Sequence, residues 1–97
     1  MKPIRFLLAA EHDLSAAATF YEDRAPGLGN KFIASVERIT HNIHFQPHQY
    51  PSYQNHVQRA IIHGFPYSIL FIHAPKEIAI VAIMHDKRRP LYWINRR

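Results

Sequence analysis

The residues able to do chemistry crowd toward one end of this sequence. His85-Asp-Lys-Arg-Arg89 is followed within a few positions by Tyr92-Trp93. Three adjacent cations can neutralise a phosphate or an acidic protein surface. A histidine titrates near neutral pH, and the two aromatics can stack or pack. Residues 85–97 hold five of the 12 Lys and Arg and one of the 7 Asp and Glu, leaving seven bases against six acids in the rest. The body is therefore nearly neutral, and the net charge of +5 comes almost wholly from the tail. Such asymmetry points to an acidic partner, against the plainer alternative of a solvated basic terminus. One further cation, Arg59, stands alone among apolar residues between Val57 and Pro75. It either forms a structural ion pair with Glu37 or Asp86 or serves the function directly.

Other chemistries find less support. With no cysteine there is no disulfide, thiolate metal site or cysteine nucleophile. Of eight histidines, His41, His44 and His48 have helical spacing, but Pro47 interrupts the helix before His48 and no carboxylate completes a ligand set, so no metal is expected. There is no glycine-rich phosphate loop and no Ser/His/Asp arrangement, and no cofactor is expected. No apolar run approaches the roughly 20 residues that span a bilayer. The opening Met1-Lys-Pro-Ile-Arg-Phe-Leu-Leu is too short in its apolar part for a secretory signal and reads as a strand, which makes a cytoplasmic protein the expectation.

The elements that must position these residues follow from periodicity. Residues 3–8 alternate as a strand. Leu14, Ala17, Ala18 and Tyr21 define a helix from about Ala10 that stops before Pro26-Gly27. A connection of five or six residues leads to a second helix, capped by Asn30 and ending near Phe45 ahead of Pro47. Its stripe is Leu28, Phe32, Val36, Ile39 and Ile43. After a polar loop, residues 57–63, 67–73 and 78–85 are β-branched runs separated by Gly64-Phe-Pro66 and Ala74-Pro-Lys-Glu77. At 97 residues this is one domain over residues 1–97. The expected fold is α+β, in the order β-α-α-β-β-β: a small, mainly antiparallel four-stranded sheet with the helical hairpin on one face. Period-2 alternation places His85 on one face with Val81 and Ile83. Trp93 with Leu91 is expected to cover a sheet edge, and Tyr92 to point the other way if this segment is extended.

The string Tyr21-Glu-Asp-Arg-Ala-Pro-Gly-Leu-Gly29 precedes Phe32-Ile33, Val36-Glu37 and Ile43, then Pro47, Tyr50-Pro51, Arg59, Phe65-Pro66-Tyr67-Ser-Ile69 and His85-Asp-Lys-Arg-Arg89-Pro90 before Tyr92-Trp93. In order and spacing this resembles the RelE/ParE superfamily of bacterial toxins of type II toxin–antitoxin systems. It is most similar to the ParE branch, with its Pro-Gly-Leu-Gly, Phe-Pro-Tyr and final His-x-x-Arg-x-Pro. The resemblance implies the β-α-α-β-β-β fold, a cognate antitoxin that wraps the toxin, and an essential target. For ParE-like toxins that target is DNA gyrase. For RelE-like relatives it is messenger RNA, cut in the ribosome.

Cutting RNA through its own 2′-hydroxyl needs a base, an acid and cations for the developing phosphorane charge. Arg59, His85, Arg88, Arg89 and Tyr92 are the candidates, but the central strands are poor in cations. The preferred reading is therefore the non-nucleolytic ParE-like one. Its target-binding residues are Arg59, His85, Lys87, Arg88, Arg89, Tyr92 and Trp93. A ribosome-dependent endoribonuclease and an inactive toxin remnant that only binds antitoxin stay open beside it.

Overall fold

The computed structural model of the protein describes residues 2–96. Strand β1 spans Ile4–Phe6, and helix α1 spans Leu8–Arg24. Helix α2 spans Leu28–Phe45, and a single 3-10 turn spans Pro47–Gln49. Strands β2, β3 and β4 span Gln58–Ile62, Tyr67–His73 and Ile78–His85. The expected order and α+β class are found. The sheet runs β1-β4-β3-β2, antiparallel except for the outer pair, in which β1 lies parallel to β4 with Ile4 opposite Ile78 and Phe6 opposite Ile80. None of its helices is long and apolar enough to cross a membrane, among the described residues.

The helical hairpin turns more tightly than its sequence suggests. α1 stops at Arg24 because Pro26 holds Ala25 extended, with φ −158° and ψ 132°. Gly27 then adopts φ +86° and serves as the N-cap of α2, so the connection is residues 25–27 alone. Asn30 falls inside the first turn of α2 and is no cap. The cap comes from the preceding helix: the Glu22 carboxylate accepts the N–H of Gly27 at 2.9 Å and that of Gly29 at 3.0 Å. An anion at a helix N-terminus also meets the positive end of the helix dipole. Gly29 must be glycine because a Cβ there would lie 2.6 Å from the Ala18 carbonyl oxygen, which brings the two helices into backbone contact.

The hairpin covers one face of the sheet. Phe32, Val36, Ile39 and Ile43 of α2 pack with Ile62, Ile69, Phe71, Ile78 and Ile80 in the main core. β4 does not alternate evenly. Opposite the step from Leu70 to Phe71 it carries one extra residue, Val81, between Ile80 and Ala82. A bulge of this kind shifts the side-chain phase by one. Ile78, Ile80 and Ile83 therefore reach the helix face, while Val81, Ala82 and Met84 join a second cluster with Val57 and Leu70. His85 accordingly follows Ile83 but not Val81, a correction to the simple period-2 expectation.

Trp93 closes that second cluster and is 1% exposed. It covers the sheet's second face rather than an edge. Its expected companion Leu91 is 37% exposed and takes no part in the cluster. Residues 86–96 form neither strand nor helix. Instead, single turns bonded Arg88 to His85, Tyr92 to Arg89, Ile94 to Leu91 and Arg96 to Trp93 wrap the segment over the sheet, with Leu91 at φ +60°.

Candidate functional site

The bulged strand β4 delivers His85 and Asp86 to the mouth of the β2–β3 hairpin, where the Asp86 N–H donates to the Pro66 carbonyl at 2.8 Å. From there the chemistry divides between the two sides of the sheet. On the side away from the helices, Arg59 Nη2 reaches Asp86 Oδ1 at 3.1 Å, and Arg59 Nε donates to Ser68 Oγ at 2.9 Å. The Ser68 hydroxyl donates in turn to Asp86 Oδ1 at 2.9 Å. The Arg59 guanidinium also lies 5.4 Å from the Tyr53 ring centre. Of the two expected partners for Arg59, Asp86 is the real one. The pairing is charge-assisted and leaves Arg59 with its charge balanced.

His85 sits on the helix side, its ring 5.0 Å from that of Tyr67. The Lys87 backbone N–H donates to His85 Nδ1 at 3.0 Å. In the neutral ring this places the proton on Nε2, so the one basic lone pair is already taken. Beyond it, Lys87, Arg88 and Arg89 are exposed. Neither the Lys87 nor the Arg89 side chain has a partner among the described residues. Arg88 places its guanidinium carbon 4.0 Å above the Tyr92 ring, and Arg96 places its own at 5.0 Å. Burial, with Asp13 nearby, pushes the Tyr92 phenol above its ordinary value despite the opposing pull of Arg96 and Arg88. Tyr92 is therefore a neutral hydroxyl at physiological pH and no proton acceptor.

Trp93, named from the sequence as a target contact, is walled in by its own cluster and offers a partner no surface. Arg96 is also not a free tail charge. Its guanidinium grips Asp13 of α1 in a two-pronged pair, Nη1 to Oδ2 at 2.5 Å and Nη2 to Oδ1 at 3.0 Å, with both side chains largely buried. The Asp13 hydrogen bond, helped by its charge, holds the Arg96 pKa up.

The structure thus brings Lys87, Arg88, Arg89 and Tyr92 together at one end. It ties Arg59 to Asp86 on the sheet face away from the helices and removes Trp93 from the site. It adds Asp13, Arg96, Ser68 and Tyr53, which sequence reasoning did not single out. Asp13 looked like any acid on a polar helix face, and Ser68 sits inside an apolar run; neither position carries a local signal of its partner.

The histidines of α2 serve structural ends. His44 Nε2 bonds the Lys2 carbonyl at 2.6 Å, and His41 packs edgewise on Phe45. Lys2 Nζ donates to His73 Nε2 and to the Ala74 carbonyl, both at 2.9 Å. Among the described residues no three of His, Cys, Asp and Glu gather as a ligand set. An open groove of about 620 Å³ runs between β1 and the helical hairpin, floored by Ile4, Phe6, Leu14, Ile33 and Val36 and edged by Glu11 and Glu37.

The family model of the ParE toxin of type II toxin-antitoxin systems, parDE, matches residues 4–90. The chain belongs to the ParE toxin family. The match takes in both helices, all four strands and the cations Lys87, Arg88 and Arg89, and it stops before Tyr92, Trp93 and Arg96. Among solved structures, a chain of the chromosomal ParDE TA system from P. aeruginosa is similar, with a TM-score of 0.65 and 23% identity over 88% of this chain and 96% of that one. At that identity the likeness carries the fold. No curated protein sequence matches this ParE-family chain.

Proposed function

We propose that this ParE-family chain is a toxin that inhibits DNA gyrase by binding, acts in the cytoplasm, and is neutralised by a cognate antitoxin. Family membership supports the toxin class. The observation that carries binding over RNA cleavage is the state of Arg59. The one cation of strands β2, β3 and β4, on the outer strand β2, is held by the Asp86 carboxylate and the Ser68 hydroxyl, so an incoming phosphate would meet an acid beside it. The occupied Nδ1 of His85 and the raised pKa of Tyr92 agree with that reading. The exposed Lys87, Arg88 and Arg89, with Tyr92 beneath Arg88, form the surface that meets the target. The antitoxin is expected to fold onto the toxin as it binds, placing apolar anchors in the groove beside the hairpin and burying roughly 1,000–3,000 Å². Such a complex should survive about 0.5 M salt, where charges are screened within a few Å.

The test is gyrase supercoiling with purified toxin, alongside ribosome-programmed messenger cleavage. Inhibition of supercoiling with intact messenger is expected. Arg88→Glu with Arg89→Glu should abolish inhibition while costing only about 0.5–1 kcal/mol of stability, since Arg89 is solvated and Arg88 gives up one partly exposed cation–π contact. Specific messenger cleavage lost in His85→Ala or Arg59→Ala would replace this reading with the endoribonuclease. A parent protein that neither arrests growth nor touches gyrase or messenger would leave the inactive remnant.

A further inference from the structure

β1 is short, and that creates a problem its neighbour must solve. Its last bond to β4 is the Leu7 N–H to the Ile80 carbonyl, after which the chain turns into α1 at Leu8. From Val81 onward the outer edge of β4 has no strand beside it, yet it lies under α1 in the interior, where unpaired backbone groups are costly. Two side chains stand in for the missing strand. Asp13 Oδ2 accepts the Ile83 N–H at 3.0 Å, and Arg96 Nη1 donates to the Val81 carbonyl at 3.2 Å. The same two side chains form the bidentate pair described above, so acceptor and donor are held in register by each other.

This clasp continues outward. Arg96 lies over the Tyr92 ring, and so does Arg88. A chain of contacts therefore runs from Asp13 on the first helix, through Arg96 and the Tyr92 ring, to the exposed guanidinium of Arg88. Asp13 is separated from Arg88 by most of the sequence and touches no solvent-facing cation itself. Arg96 and Tyr92 lie in the segment past residue 90, where the family match ends. The clasp thus ties a segment beyond the family match to helix α1, which lies within it.

The geometry points to Asp13 and Arg96 as positioning residues: their pair clamps the C-terminal segment to α1 and the bulged edge of β4, and so sets Tyr92 and Arg88 in the orientation in which the cationic surface meets its target. That the surface meets gyrase rests on the function proposed above; that Asp13 orders Arg88 does not. A basic terminus without the clasp would present the same charges as a mobile cloud, which attracts acidic surfaces without selecting one.

The experiment has two arms on full-length purified protein, with circular dichroism confirming that helix and sheet content are retained. In the first, the side-chain Nε–H signals of arginine are recorded by ¹⁵N NMR. In the parent, Arg88 should be displaced by the ring current of Tyr92. Asp13→Asn and Arg96→Gln should each return that signal to the position of a free arginine, and Arg96→Lys, which keeps the charge without the fork, should fall between. The second arm reads gyrase supercoiling. Each of the first two variants should raise the half-inhibitory concentration about tenfold, and the double variant should be no worse than either single, because the two residues act as one unit. An Arg88 signal that stays displaced in both single variants overturns the proposal, as does full inhibition in a variant whose signal has collapsed. Should Asp13→Asn not fold, Arg96→Lys decides in the same way, an unshifted Arg88 signal counting against the clasp. A parent that does not inhibit gyrase refutes the proposed target, while the NMR arm still decides the clasp.

Discussion

The two faces of the sheet are built on different principles. Against the helices, fourteen buried residues form a continuous apolar core in which every named contact is hydrocarbon or aromatic. On the opposite face six of the described residues do, including one tryptophan from an irregular segment, flanked by the Arg59–Ser68–Asp86 network. The first face holds the fold together by burial, which is large and indifferent to detail. The second is small, and directional polar bonds fix its shape. Where a surface must present charges in set positions, directional bonds serve better than area, and it is at this end that the exposed cations emerge.

The largest expected effect comes from breaking the helix face. Phe32 is fully buried among Tyr21, Phe65 and Tyr67. Phe32→Ala should cost about 3–5 kcal/mol, much of the stability of a domain this size. Trp93→Ala removes a larger side chain yet should cost less, about 3 kcal/mol, because its segment can settle onto the sheet instead of leaving a closed cavity. Urea denaturation followed by circular dichroism compares the two; a greater loss for Trp93→Ala would make the second face the main core.

A smaller effect tests the polar network. Asp86→Asn keeps an acceptor for Ser68 but strips Arg59 of its countercharge. With both side chains about a third exposed, solvent screening limits the loss to about 1 kcal/mol. An unchanged denaturation midpoint in Asp86→Asn would reduce the pair to a surface contact.

The smallest effect lies at the corner where Lys2 meets His73. Burial, then Lys2 and His48, lower the His73 pKa from its usual 6.5. The folded protein thus binds this proton more weakly than the unfolded chain does. The contribution of neutral His73 is complete above about pH 6.5 and is lost as pH falls from there through the lower folded value. The thermal midpoint should decline below pH 6.5, and His73→Gln, which still offers Lys2 an acceptor, should flatten part of that decline. An identical slope in the variant would show that His73 does not contribute.

The helix face is what the sequence made readable. The stripe from Phe32 to Ile43 and the three β-branched runs repeat with the period of the element they form, so local pattern and tertiary position agree. The errors arose where a structure depends on something out of register or distant. The Val81 bulge breaks alternation without any glycine or proline to mark it, and so misassigned the neighbours of His85. Asn30 looked like a cap because the real one, Glu22, belongs to the preceding helix. The cationic tail was legible as composition. Its division into exposed Lys87, Arg88 and Arg89 and a clamped Arg96 depends on Asp13, and a single sequence carries no mark of that pairing.

The place of β1 in the sheet has a consequence for how the protein is made. β1 leaves the ribosome well before β4, the strand it lies beside, with Ile4 waiting for Ile78. Until β4 has emerged, β1 has no neighbour, β3 has one bare edge, and the apolar face of the hairpin has only β2 and β3 to rest on. Contacts this distant in sequence form late and slow the folding of a small domain. The cationic surface, built from residues after β4, can therefore be assembled only after that strand has been made. Its clasp to Asp13 waits longer still, until Arg96 has followed.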